Sequence, residues 1–393
     1  VRKKAFLIIL SISLYLTGHY ALVSKSEPLL FYFYVTSWWS YIILIDTILS
    51  RRTGKYVFLN KDLPLTVLIS CGFWCSFELI NLRLENWFYV NLPGNAFIRY
   101  SGYLLAYGTV IPAISLTASA LQPLFPPLKI TVFRIGNYPS RAIASGIFML
   151  FLTLIWPNYL FPLAWVFAIP LIDGINYRAG FRSFMADIER GDAGRLPGAL
   201  LSGLLCGALW ETWNFLSPVR WIYTVPFFEG LKVFEMPLPG YAGFLVFGVE
   251  TLVFTDLLQG LLKKKTTRIV TICFALTICV FALPLIDRFT VFSFSTDVER
   301  LSFLSEESTK MLRGKGIKTS LGIDKEALKP GERDAFMLVS LRGLGYENYL
   351  RLGRYGITRI EDLNNIDETT LSDILGETNL RRVRIFLNAA RQQ

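Results

Sequence analysis

Histidine is all but missing: His19 stands alone in a chain of 393 residues. Haem relays, multi-histidine di-iron boxes and zinc-protease helices each need at least two imidazoles, so none of them can be built here. Charged side chains are also scarce, at 18% of residues against 53% hydrophobic. There is no aspartate-rich prenyl diphosphate motif, phosphate-binding loop or dinucleotide fingerprint, which removes the usual phosphate-gripping enzymes. Gly240, Gly243 and Gly248 have the wrong spacing for that fingerprint and lie in an apolar run, where close packing accounts for them. The five cysteines, Cys71, Cys75, Cys206, Cys273 and Cys279, all fall in apolar stretches. Small buried thiols in such places read as packing residues, so no metal and no cofactor is expected.

What the chain has instead is apolar length. Blocks fall at about 5–23, 29–49, 63–82, 100–120, 142–157, 159–175, 196–216, 238–262 and 269–286. A soluble domain would have to hide this load in one core, and cores stop growing near ~250–300 residues. A helix of ~20 apolar residues crosses ~30 Å of hydrocarbon. The pattern predicts an all-α, multi-pass transmembrane helix bundle of about nine helices in the cell membrane, its partner being membrane lipid. Arg2, Lys3 and Lys4 open the first block, but no small-x-small cleavage site follows, so it reads as a retained helix.

The net charge of +10 gathers in alternate short loops, around Arg51 and Arg52, Lys129 and Arg134, Arg178 and Arg182, and Lys263 to Lys265. That is an orientation signal and a match for anionic head groups, not a nucleic-acid footprint. It puts the N-terminus and these loops in the cytoplasm. Nine crossings would leave the tail outside; blocks five and six could instead form one re-entrant hairpin without changing that parity.

The chain repeats itself. Leu44-Ile45-Asp46 with Arg51 returns as Leu171-Ile172-Asp173 with Arg178. Glu78 and Asn81, followed by Trp87, Tyr89 and Pro93, return as Glu211 and Asn214, then Trp221, Tyr223 and Pro226. This predicts a parallel duplication of a four-helix unit (residues 1–130 and 131–265), one extra helix (266–287), a linker with an amphipathic helix over 297–313 (288–332), and a small helical domain (333–393).

Acids inside a membrane cost at least ~2.5 kcal/mol each, so each asks for a reason. Glu78 with Asn81, and Glu211 with Asn214, share a helix face at a spacing of three. Glu250 lies mid-block, Glu235 precedes Met236-Pro237-Leu238-Pro239-Gly240, and Arg83 and Arg220 lie near the same boundary. Glu78, Glu211 and Glu250 are the candidate catalytic acid/base groups; Asn81, Asn214, Trp87, Trp221 and Tyr223 are candidates for binding substrate. The alternatives are interhelical hydrogen-bond glue for the Glu and Asn side chains and interfacial belts for the aromatics. Asp46 with Arg51 and Asp173 with Arg178 are expected as structural ion pairs.

Asp173-Gly174 with Arg178 is similar to the start of the CDP-alcohol phosphotransferase signature, but Pro170 replaces its earlier Asp. Acid, Asn, Trp, Tyr and a Pro-Leu-Pro turn leading to Glu250 resemble the membrane-type lycopene cyclases over residues 40–260. That resemblance implies acid-initiated cyclisation of a polyene without a metal, with Glu78, Glu211 and Glu250 as the acids. The family's paired acids are replaced here by Gly240 and Tyr241.

The tail runs through Leu341-Arg342-Gly343-Leu344-Gly345-Tyr346, Gly356-Ile357, Leu363, Leu371 and Leu375-Gly376 to Leu380 and Leu387. It resembles a sterile alpha motif (SAM) domain, which implies a five-helix bundle for self-association or partner docking; Arg381 departs from the family's small residue. A helix-hairpin-helix reading would turn Gly343-Leu344-Gly345 toward a nucleic-acid phosphate. Glu361, Asp362 and Asp367 cluster in the middle, and Arg381, Arg382 and Arg384 at the last helix start. Such segregation suits head-to-tail homo-oligomers; the alternative is a solvated surface of mixed charge.

Three functions fit: an enzyme on an apolar or lipid-like polyene or isoprenoid, a non-catalytic scaffold recruiting partners through its tail, and a proton-coupled carrier.

Overall fold

The computed structural model describes residues 2–228 and 230–392. Its first half holds α1 (Arg2–Ser24), α2 (Phe33–Thr53), α3 (Leu63–Leu84), β1 (Trp87–Val90), α4 (Ala96–Tyr107) and α5 (Val110–Leu121). Then come α6 (Tyr138–Ile155), α7 (Pro157–Leu160), α8 (Ala168–Ala179), α9 (Phe184–Ile188), α10 (Arg195–Leu216) and β2 (Arg220–Tyr223). The hairpin of β3 (Lys232–Val233) and β4 (Met236–Pro237) leads into α11 (Gly240–Leu261) and α12 (Lys265–Phe289).

Seven of these elements are long and apolar enough to cross a membrane, α4 and α5 counting together as Ala96–Leu124, and an eighth forms if the pair Pro157–Trp165 and Ala168–Ala179, bent by 40°, is one span. The chain is therefore helical, with several helices of a length and apolarity compatible with a multi-pass membrane protein. Helix α10 has 22 residues but falls outside that set. It packs against α5 and α11, so side chains rather than lipid meet much of its surface. Gly203 and Gly248 make the α10–α11 crossing possible: a Cβ at Gly203 would lie 2.0 Å from the Phe244 carbonyl, and one at Gly248 2.1 Å from that of Ala199.

The helices alternate in direction, so the basic loops gather at one end, where Arg268 meets Asp62 and Lys4 reaches the Ser50 carbonyl. The opposite end carries a small sheet. Strands β1 and β2 pair antiparallel, Trp87 opposite Tyr223 and Tyr89 opposite Trp221. Residues 290–295 run parallel along the other edge of β1, through Tyr89–Val291 and Leu92–Phe294 bridges. Alternate side chains of a strand face opposite ways. Trp87, Tyr89, Trp221 and Tyr223 therefore look into the bundle, while Phe88, Val90 and Ile222 join the core of the C-terminal domain with Leu338, Leu344 and Phe386.

Residues 288–332 are not a linker. Helix α13 (Glu306–Gly314), capped by Ser305, and the turns around it bury Val298, Leu301, Leu312 and Ile323 against Phe336 and Val339. That apolar face completes the domain formed by α14 (Pro330–Ser340), α15 (Tyr346–Gly353), α16 (Glu368–Leu375) and α17 (Leu380–Ala390). Gly376, with φ 65°, supplies the left-handed residue that ends α16. The domain sits on the sheet end of the bundle, where Lys25 donates to the Ile323 carbonyl and Glu27 accepts from Thr319.

The expected charge faces of this domain are spent within the chain. Arg384 forms a two-pronged pair with Glu368, while Asp362 and Asp367 accept backbone amides at the starts of their own turns. Arg382 is buried over the Phe88 ring and pairs with Glu377; Arg381 donates to the Leu84 carbonyl at 2.9 Å. Glu361 remains exposed. Within one chain, the basic start of the last helix docks onto the bundle.

Candidate functional site

Beneath the sheet lies an apolar cavity with about 1030 Å³ of empty space, counting its open mouth. Its walls come from α2, α3, α4, α10, α11 and both strands, and Trp74, Trp87, Trp165, Trp210, Trp221 and Phe247 supply much of the surface. Such faces favour apolar chains and also stabilise positive charge.

Glu78 sits behind this wall, fully buried. Its carboxylate accepts from the indole N–H of Trp74 at 2.8 Å, that of Trp87 at 3.2 Å, and the hydroxyl of Tyr89 at 2.5 Å. The Tyr107 hydroxyl donates to that of Tyr89 at 3.1 Å and lies 3.5 Å from the carboxylate itself. Every group around Glu78 is a donor, so the site is built to hold an acceptor there. Burial, and then the neighbouring carboxylate, push the Tyr89 phenol well up, which keeps it a donor.

Glu211 repeats the arrangement in sparser form. Its Oε1 accepts from Tyr223 at 2.8 Å, and its buried Oε2 has no hydrogen-bond partner among the described residues. Glu250 is also fully buried, but stands apart beside the Ala168 backbone, outside the cavity wall, and neither of its oxygens has a partner among the described residues. Two of the three acids therefore back one cavity, and the third does not.

The two asparagines do something else than bind substrate or orient the acids. Asn81 donates to the Trp87 carbonyl at 2.9 Å and accepts from the Asn86 amide at 2.9 Å. Asn214 holds Trp221 by both its carbonyl and its amide, each at 3.0 Å. With their polar atoms committed to backbone, they set where the aromatic strands leave the helix ends.

Neither expected ion pair forms. Asp46 accepts the amides of Val57, Phe58 and Leu59 at 2.7–2.9 Å, while Arg51 is exposed. Asp173 accepts the amides of Phe184 and Met185 and the hydroxyls of Tyr138 and Ser183, while Arg178 is exposed and donates to Ser140. A buried carboxylate is satisfied better by converging amides than by a long side chain reaching back from solvent.

Sequence reasoning missed Trp74, Tyr107 and Trp210. Trp74 lies one helical turn before Glu78, a signal that was present; Tyr107 and Trp210 come from other helices and gave none. Cys279 on α12 joins Cys71 and Cys75, all three sulfurs lying within 4.8 Å of one another, a spacing that could hold a soft metal. Family models, curated proteins and solved structures were all compared with the chain, and none matches it.

Proposed function

We propose that this membrane protein takes an apolar, lipid-like molecule, such as a polyene or isoprenoid chain, into the aromatic cavity and exchanges a proton with it through Tyr107, Tyr89 and Glu78. The observation that carries this reading is a cavity wall whose hydroxyl and indole groups are hydrogen-bonded to one buried carboxylate. Run toward the bound chain, the relay carries a proton from the Glu78 carboxyl group to the Tyr89 oxygen, the Tyr89 hydroxyl proton to Tyr107 and the Tyr107 hydroxyl proton to the chain, leaving Glu78 as a carboxylate. The aromatic faces stabilise positive charge that develops on the bound chain.

The same reading includes a duplicated unit. Its support is that Asp46 and Asp173 hold amides at matching distances along the chain, that Asn81 and Asn214 clamp the following Trp, and that Glu78 and Glu211 each bind the strand Tyr. Nine crossings, with the basic loops cytoplasmic and the SAM-like tail outside, complete the topology. The turn at Gly343 packs on Val90, where a Cβ would lie 2.6 Å away, and that covered position favours docking over nucleic-acid contact.

Gly102 lines the cavity and has open space where a Cβ would sit. Mass spectrometry of the native lipid extract should find one specific apolar molecule with the purified wild-type protein. Gly102→Leu, whose Cβ would meet nothing within 4 Å, should lose it, and Glu78→Gln should retain it in altered form. Identical extracts from all three proteins, each equally stable, would reject the reading.

A further inference from the structure

Two guanidinium groups line an otherwise apolar cavity, and they are not equivalent. Arg99 is saturated: it forms a two-pronged pair with Asp287 at 2.8–3.0 Å and donates to the carbonyls of Pro93 and Gly94. Arg220, at the start of β2, is not. Its contacts are long, 3.7 Å to Glu235 and 3.5 Å to the Phe215 carbonyl, although its side chain is only 22% exposed. An arginine has five donors and an obligatory charge, so a half-satisfied one at a cavity wall is costly without a ligand.

The cause lies in the C-terminal domain. Arg342 holds Glu235 from the other side with bonds of 2.6 and 3.0 Å. Its backbone there is left-handed, at φ 48°, a conformation that L side chains rarely adopt. Two cations thus share one buried carboxylate, and the shorter bonds go to the one outside the cavity. One positive charge is left over on Arg220, which lines the cavity at the start of β2.

We infer that the molecule bound in the cavity is an amphiphile with an anionic head, a carboxylate or phosphate, which pairs with Arg220 while its apolar chain lies among the tryptophans. Arg342 keeps that position open by drawing Glu235 away. The inference rests on the proposed lipid-binding reading and adds the head-group chemistry to it.

Retinoic acid and retinol test it, since they share one polyene chain and differ in the head. Both absorb where tryptophan emits, so quenching of the cavity tryptophans in the full chain, purified in neutral detergent, reports binding. Retinoic acid should bind roughly ten- to a hundredfold more tightly than retinol, the difference one charge-assisted pair makes. Arg220→Gln should erase that preference and leave retinol binding unchanged. Arg342→Gln should weaken it as well, although it lies outside the cavity, because Glu235 is then free to neutralise Arg220. Equal affinity of the wild type for acid and alcohol overturns the head-group inference and leaves the lipid-binding reading standing. A preference that survives Arg220→Gln also overturns it. If neither compound quenches, the cavity reading fails too.

Discussion

The Tyr89 hydroxyl lies 2.5 Å from the Glu78 carboxylate, so a strand outside the membrane helices reaches back to a helix eleven residues earlier. The bond ties the sheet to α3 and closes the cavity floor. Tyr89→Phe removes that donor and leaves Tyr107 as the hydroxyl facing Glu78, beside the indole N–H groups of Trp74 and Trp87. The substitution should cost roughly 1–3 kcal/mol of stability, read as an earlier thermal transition in detergent by intrinsic fluorescence. An unchanged transition would show that the bond does not form in solution.

Asp46 and Arg51 separate two accounts of the same loop. Asp46→Ala strands three backbone amides in a buried place and should destabilise by roughly 2–4 kcal/mol. Arg51→Ala should stay within about 0.5 kcal/mol, as for an exposed side chain without a pair. Equal losses in unfolding experiments would restore the ion pair.

Glu250 has no hydrogen-bond partner for either oxygen among the described residues. Removing an unsatisfied buried polar group is neutral or stabilising, so Glu250→Leu should keep or raise the melting temperature. A marked fall would mean that the carboxyl group has a partner, such as a bound ligand.

Arg381 binds the carbonyl at the end of α3. Arg381→Glu should loosen the C-terminal domain from the bundle, and limited proteolysis of the full chain should then cut faster after residue 289. The charge reversal should act in dilute monomeric samples as well. An effect confined to high protein concentration would instead favour contact between two copies.

Sequence patterning foretold the helices well, because apolar blocks of membrane length leave the backbone no alternative to internal hydrogen bonding. It also singled out Glu78, Glu211 and Asp46, since an acid in an apolar run stands out by its cost. It did not show what each acid meets. Asp46 and Arg51 are close along the chain, yet the amides of residues 57–59 take the carboxylate, and only the path of the loop brings them there.

The composition by itself therefore pointed to helices of membrane length, excluded chemistry that needs two or more histidines, and drew attention to a few carboxylates in apolar runs. The tertiary structure alone decided which of those carboxylates act together. Glu78 and Glu211 back one aromatic cavity because β1 and β2 pair across the bundle, whereas Glu250, equally conspicuous in the sequence, faces another helix. It also made the supposed linker a part of the C-terminal domain, since Val298, Leu301, Leu312 and Ile323 are buried against Phe336 and Val339. Contacts between segments this far apart depend on three-dimensional packing, which periodicity along the chain does not encode.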